Sequence, residues 1–275
     1  MTKWSKHVVE WIEDKTAYLS VVFTWDLPKA HIQAVWLREL GYEVKAGGPA
    51  CLLMPDYLAG VAEVNSCSVG ALWRHNPDAT FTSRGCIRKC KFCAVPKIEG
   101  NLVELDEWEP KPIVCDNNLL ACSQQHFDKV IDSLKGIKEV DFNQGLDTRL
   151  LTQYHANRLA ELDLARVRLA WDNTKYGNSF MQGYERLRKA KIPKRLISVY
   201  VLMGFDDTPD DAWFRLRTIQ NMGVTPFPMR YQPLDALKKN QYVGDNWTHR
   251  ELSRYMRYWS RLRFTGSVPF KEFHQ

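Results

Sequence analysis

From residue 79 onward, short runs of apolar and β-branched residues alternate with stretches in which apolar positions recur every three or four residues. The first pattern suits strands and the second suits amphipathic helices, because side chains repeat every 2 residues on a strand and every 3.6 on a helix. Candidate strands are Thr80–Ser83, Ile113–Asp116, Val140–Gln144, Val167–Trp171, Leu196–Met203 and Thr225–Arg230. Helical patterns fall near 124–135, 152–162, 177–190, 210–222 and 248–263. Strands separated by helical crossovers predict parallel βα units, and therefore an α/β fold.

The first 78 residues follow another rhythm. Ala17–Trp25 predicts a strand, Lys29–Leu40 a helix, and Gly41-Tyr-Glu-Val44 the start of a second strand, ending in the turn Gly47-Gly48-Pro49. The expected organisation is thus a short βαβ-like extension over 1–78, followed by the main α/β domain over 79–275.

Composition changes this picture little. The chain has 275 residues, 25% charged and 45% hydrophobic, within the ordinary globular range. It has no apolar run of about 18 residues, so no membrane-crossing helix is expected. A net charge of +6 permits an anionic partner without requiring one. The seven cysteines are an odd number, and Met1-Thr-Lys-Trp-Ser-Lys opens no apolar leader. Both features lead us to expect free thiols in a reducing cytoplasm, and we expect a monomer.

Three of those cysteines carry the strongest chemical signal. Cys86-Ile-Arg-Lys-Cys90-Lys-Phe-Cys93 places three thiols within eight residues. A structural zinc ion is normally closed by four ligands, and an ordinary iron–sulfur cluster by four thiolates. Three ligands on one loop therefore suit a cluster with one iron open to another molecule. They also suit zinc, if Cys115, Cys122, His75 or His126 supplies a fourth ligand.

The loop resembles that of the radical S-adenosylmethionine (SAM) superfamily, C-x3-C-x-aromatic-C, with Phe92 in the aromatic slot. The wider stretch from Thr82-Ser-Arg-Gly-Cys86 through Cys93-Ala-Val-Pro96 is similar to cobalamin-domain and methylthiotransferase-like members. The chain lacks the Asp-x-His-x-x-Gly cobalamin signature and the further N-terminal cysteines of a second cluster. The resemblance implies a partial (β/α)6 barrel, a [4Fe-4S] cluster on Cys86, Cys90 and Cys93, and SAM bound at the open iron. It further implies reductive cleavage of SAM to a 5′-deoxyadenosyl radical that abstracts a hydrogen atom, with an electron donor such as flavodoxin or ferredoxin.

By position, the resemblance extends to other residues. Phe92 is expected near the adenine. Asp116 and Asn118, after the second strand, have oxygens that can accept hydrogen bonds from the SAM ammonium. Asn143 lies near the end of the third strand, and Arg149 behind it could pair with the SAM carboxylate or equally form a salt bridge to Asp147 at the surface. Asp172 could take ribose hydroxyls or cap the following helix. Gly204 would admit close approach of the adenine. Arg84, Arg88, Lys89 and Lys91 surround the cysteines with positive charge. Cys115 and Cys122 read as structural thiols, with a catalytic role as the minor alternative.

The last helical stretch aligns Arg250, Arg254, Arg257 and Arg261 at spacings of four, three and four. Such a row can follow a phosphate backbone, or be the solvated face of an amphipathic helix. Two functional readings emerge: a radical SAM enzyme on an unidentified substrate, a nucleotide or RNA among the candidates, and a non-catalytic nucleic-acid-binding protein with structural zinc. The catalytic residues acting on the substrate are not identified by the sequence.

Overall fold

The computed structural model describes residues 4–5, 8–65, 71–260 and 268–273. Cys67, Arg261 and the end of the last predicted helix lie outside the described residues. The chain divides into two compact units, one of residues 1–79, 88–100 and 232–240, the other of 80–87, 101–231 and 241–275.

The smaller unit holds a four-stranded sheet in the order β1 (Val9–Glu13), β2 (Thr16–Ser20), β3 (Glu43–Gly47), β4 (Glu63–Val64). β1 runs antiparallel to β2, and β2, β3 and β4 are parallel. Helix α1 (Leu27–Glu39) carries Pro28 in its first turn, where a missing N–H costs nothing. Its Leu27, Ala30, Ala34 and Leu37 pack with Ala17, Leu19, Val44 and Ala46 in one fully apolar core. The short helices α2 (Pro49–Leu53), α3 (Ala71–His75) and α4 (Val95–Ile98) complete the unit. Gly48 is dictated by the fold: it has φ +96°, and a Cβ there would lie 2.6 Å from the Val21 carbonyl oxygen.

This unit exceeds the βαβ-like extension expected from the sequence. The hairpin strand β1 was not foreseen. The first predicted strand stops at Ser20, because Thr24–Asp26 turn into a short 3-10 helix that leads into α1.

In the larger unit the principal sheet follows chain order. β5 (Ala79–Thr80), whose first residue counts with the smaller unit, is followed by β8 (Ile113–Val114), β9 (Val140–Leu146), β10 (Leu164–Ala170), β11 (Ile197–Met203) and β12 (Thr225–Arg230). The pairs from β8 to β12 are parallel. A side ribbon of β6 (Ser83–Arg84) and β7 (Val103–Glu104) is antiparallel. Helices α5 (Gln124–Leu134), α6 (Gln153–Leu159), α7 (Gly177–Lys189), α8 (Pro209–Asn221) and α9 (His249–Ser260) follow β8 to β12 in turn. The fold is therefore α/β with a large parallel sheet. Val167, Leu169, Val199, Val201 and Met203 are fully buried in its core, along with Phe127, Phe180 and Trp259. Among the described residues, no helix is long and apolar enough to cross a membrane.

Two interruptions separate the strands from their predicted bounds. The first predicted strand breaks into β5 and β6, since the Thr82 N–H turns to the Asp116 carboxylate. β9 carries a bulge, where its register against β10 shifts between Phe142 and Leu146 and Gly145 has φ +93°. A bulge re-aims the side chains around it, so simple alternation fails at Asn143 and Gln144.

Candidate functional site

At the C-terminal ends of the parallel strands, polar residues of the larger unit form a connected line. Asn118, just after β8, is buried and donates through Nδ2 to Cys86 Sγ at 3.6 Å and to Asp147 Oδ2 at 3.4 Å. Asp147, after β9, holds Arg149 by a two-pronged pair, with Nε at 2.7 Å and the second guanidinium nitrogen at 3.0 Å. The Arg149 guanidinium lies 4.9 Å from the centroid of the Tyr176 ring. Asn118 Oδ1 is buried and has no hydrogen-bond partner among the described residues. Burying an acceptor unpaired costs about 1–3 kcal/mol, so the position favours a ligand that brings a donor.

Asp116 has another duty. It is buried, and its oxygens receive the Thr82 N–H at 2.6 Å, the Thr82 hydroxyl at 2.5 Å and the Ser83 hydroxyl at 2.7 Å. With three donors already in place, it fixes the segment leading to Cys86. Asp172 is partly buried after β10, and its carboxyl is pushed up to about 6. Burial is the leading cause, opposed by the positive charges of Arg215 and Arg149. Asn143 lies in the β9 bulge, and its carbonyl accepts from the Tyr200 hydroxyl at 3.1 Å. Beside Gly204 (φ +80°), the place a Cβ would take is filled by Leu252 of α9, whose Cδ2 lies 2.9 Å from it, and the Gly244 backbone abuts the Gly204 carbonyl. The close approach foreseen for adenine is thus made by the protein itself.

Cys86 counts with the larger unit, and Cys90, Phe92 and Cys93 with the smaller. The Cys93 N–H donates to the Cys90 carbonyl at 3.1 Å, closing a tight turn, and Phe92 is half-buried. None of the six described cysteines is in a disulfide. Among the described residues, no group of three His, Cys, Asp or Glu side chains is gathered as a metal site requires. The test of fit is therefore the chemistry of the donors. Three half-buried thiols stand in eight consecutive residues, and the proposed fourth ligands are engaged elsewhere. The His75 ring shares a buried 2.9 Å hydrogen bond with the Ser20 hydroxyl. His126 is buried, with its ring 5.2 Å from that of Trp108. Burial pushes the thiols of both Cys115 and Cys122 up to about 12. Thiols at Cys86, Cys90 and Cys93 are donors that an iron–sulfur cluster takes, and that zinc takes too.

Sequence reasoning missed a buried arginine that ties several elements of the unit together. Arg215 of α8 is fully buried, pairs with the Asp207 carboxylate, and donates to the carbonyls of Trp171 and Leu202, each at 2.9 Å. Asp207 also accepts from the Gly204 N–H at 2.8 Å and the Trp247 indole at 3.0 Å. Its position in an acidic helix start was the only signal in the sequence, and it reads equally as helix capping. Of the expected arginine row on α9, Arg250, Arg254 and Arg257 lie among the described residues. Arg254 turns to the carbonyls of Phe270 and Phe273 and lies over the Phe270 ring, while Arg250 and Arg257 are exposed.

No protein-family model matches the chain, and no curated protein matches its sequence.

Proposed function

We propose that the chain is a radical SAM enzyme built on a partial (β/α)6 barrel, with a [4Fe-4S] cluster held by Cys86, Cys90 and Cys93. The observation that carries this reading is Asn118: a buried amide that touches the first cysteine of the C-x3-C-x2-C loop and keeps one acceptor unpaired. The sequential order of the six-stranded sheet supports the barrel. When bound, the cluster supplies the electron for SAM cleavage and an iron to which SAM can bind.

The protein's own residues would do the rest. Asn118 Oδ1 accepts from the ammonium of SAM, while Asp147 holds the amide in place from its Nδ2 side. Asp116 positions the segment before Cys86 through Thr82 and Ser83. Asp172, whose carboxyl titrates near 6, can accept from ribose hydroxyls when ionised. A small reductant such as flavodoxin or ferredoxin would deliver electrons, and the cytoplasm is the compartment that suits reduced thiols.

The test is 5′-deoxyadenosine formation by the anaerobically reconstituted, chemically reduced chain supplied with SAM, beside a Cys90→Ala control. Product from the wild type alone supports the reading. A chain that takes up zinc and forms no iron–sulfur cluster overturns it.

A further inference from the structure

Helix α1 is apolar on two of its sides. Leu27, Ala30, Ala34 and Leu37 lie in the core of the smaller unit. On another side Ile32, Trp36 and Leu40 follow one another at intervals of four, and they are 70%, 53% and 54% exposed. A helix that covers one side of a sheet ordinarily turns charge to the water. Single exposed apolar residues are common, but three large ones in line mark a surface that another body covers. Arg38 lies off this stripe and donates to the Gly60 carbonyl at 2.8 Å, which anchors the helix to its own unit.

The charges beside the stripe say what that body is. Lys29 and Glu39 are exposed. At 3.6 residues per turn, Lys29, Ile32, Trp36 and Glu39 fall within about 80° of arc. Their spacings of three, four and three are those of a coiled-coil seam. The order along the seam is self-complementary. A two-fold axis level with Ala34 sets two α1 helices antiparallel and pairs positions equally far from 34. Ile32 then packs against Trp36 of the partner subunit, and Lys29 meets Glu39 of the partner subunit. Symmetry makes each contact twice. A parallel pair would instead set lysine against lysine and glutamate against glutamate, so charge selects the antiparallel arrangement. An apolar centre holding a tryptophan anchor, with charge at its rim, is the composition of a protein interface.

We propose that this face of α1 is a self-association surface on which a second copy of the chain docks antiparallel, Ile32 against Trp36 and Lys29 against Glu39. The proposal is independent of the radical SAM reading, and it replaces the monomer expected from the sequence. One pair of helices makes a small interface of the weak, transient class. The dissociation constant is therefore expected on the order of 10–100 µM.

The test is sedimentation equilibrium of the full-length chain at low salt, over about 5–300 µM, which brackets that constant. A monomer–dimer equilibrium is expected. Ile32→Glu and Trp36→Ala should each weaken it about tenfold or more. Lys29→Glu and Glu39→Lys, each alone, bring like charges together and should also weaken it about tenfold. An equimolar mixture of these two charge variants restores opposite charges at both ends, so it should associate as strongly as the wild type. The double variant Lys29→Glu/Glu39→Lys should do the same. All four side chains are exposed, and circular dichroism checks that each variant is folded. A wild-type chain that stays monomeric throughout the range overturns the proposal. Association that survives Ile32→Glu places the contact on another surface and also overturns it. A mixture of the charge variants no stronger than either alone overturns the antiparallel pairing.

Discussion

Asn118 joins two requirements that pull apart: its amide hydrogens are engaged by Cys86 and Asp147, and its oxygen is buried without a donor. Asn118→Ala removes both. A hydrogen bond to a charged group contributes about 1.5–3 kcal/mol, so the variant should bind SAM roughly 10–100-fold more weakly. If the proposed cluster forms, its absorbance should survive, because the three thiols are untouched; equal SAM affinity in equilibrium dialysis would remove Asn118 from the proposed site. Asp172 makes a second prediction. Its folded carboxyl titrates near 6, above the ordinary aspartate value. The native chain therefore binds more protons than the unfolded chain between about pH 4 and 6, and the group's contribution to stability falls as pH rises through that window. Above it the contribution is constant. Asp172→Asn should flatten this slope in urea melts across the same range. Of the residues at this scale, Asn118 and Asp116 both stood out in the sequence as acceptors just after the second strand. Asp116 looked equivalent in sequence, and only the fold reveals Thr82 and Ser83 already on its oxygens.

At the scale of elements, α8 is tied to the ends of β10 and β11 by one buried side chain. Arg215 bridges the Asp207 carboxylate and the carbonyls of Trp171 and Leu202. Removing one partner of a buried pair leaves the other charge uncompensated, at a cost of about 3–5 kcal/mol. Arg215→Met should lower the denaturation midpoint accordingly, and a loss below about 1 kcal/mol would show that Asp207 finds water instead. The elements themselves were largely readable. Thr225–Arg230 forms β12 with the predicted bounds, α5, α6, α7 and α9 fall within the predicted helical windows, and α8 starts one residue before its own, because each helix buries one apolar stripe on the sheet. What escaped was irregular: the break at Thr82, the bulge around Gly145, and the diversion of Arg254 to the carbonyls of Phe270 and Phe273. Each is set by a partner far away in sequence, which no local periodicity records.

Across the whole molecule, the smaller unit holds residues 1–79 and also takes 88–100 and 232–240. Leu237 packs against its core, the Thr24 hydroxyl donates to the Ala236 carbonyl at 2.7 Å, and the Lys239 ammonium lies 5.5 Å from the centroid of the Trp25 ring. Leu237 is only partly buried, so Leu237→Ala should cost roughly 1–2 kcal/mol, below the 2–5 of a full core truncation. Amide exchange should quicken in β2 and α1; an effect confined to the larger unit would reassign the segment.

This borrowed segment also sets a timetable. Ribosomes add about 5–20 residues per second, so residue 240 emerges roughly 9–35 s after the strands of the N-terminal sheet have been made. Throughout that interval the first-made unit lacks its Leu237 and Ala236 contacts. Nascent chains paused at any point before residue 240 are therefore the species most exposed to chaperones and proteases, and synonymous changes that slow translation there would lower yield without altering a single residue.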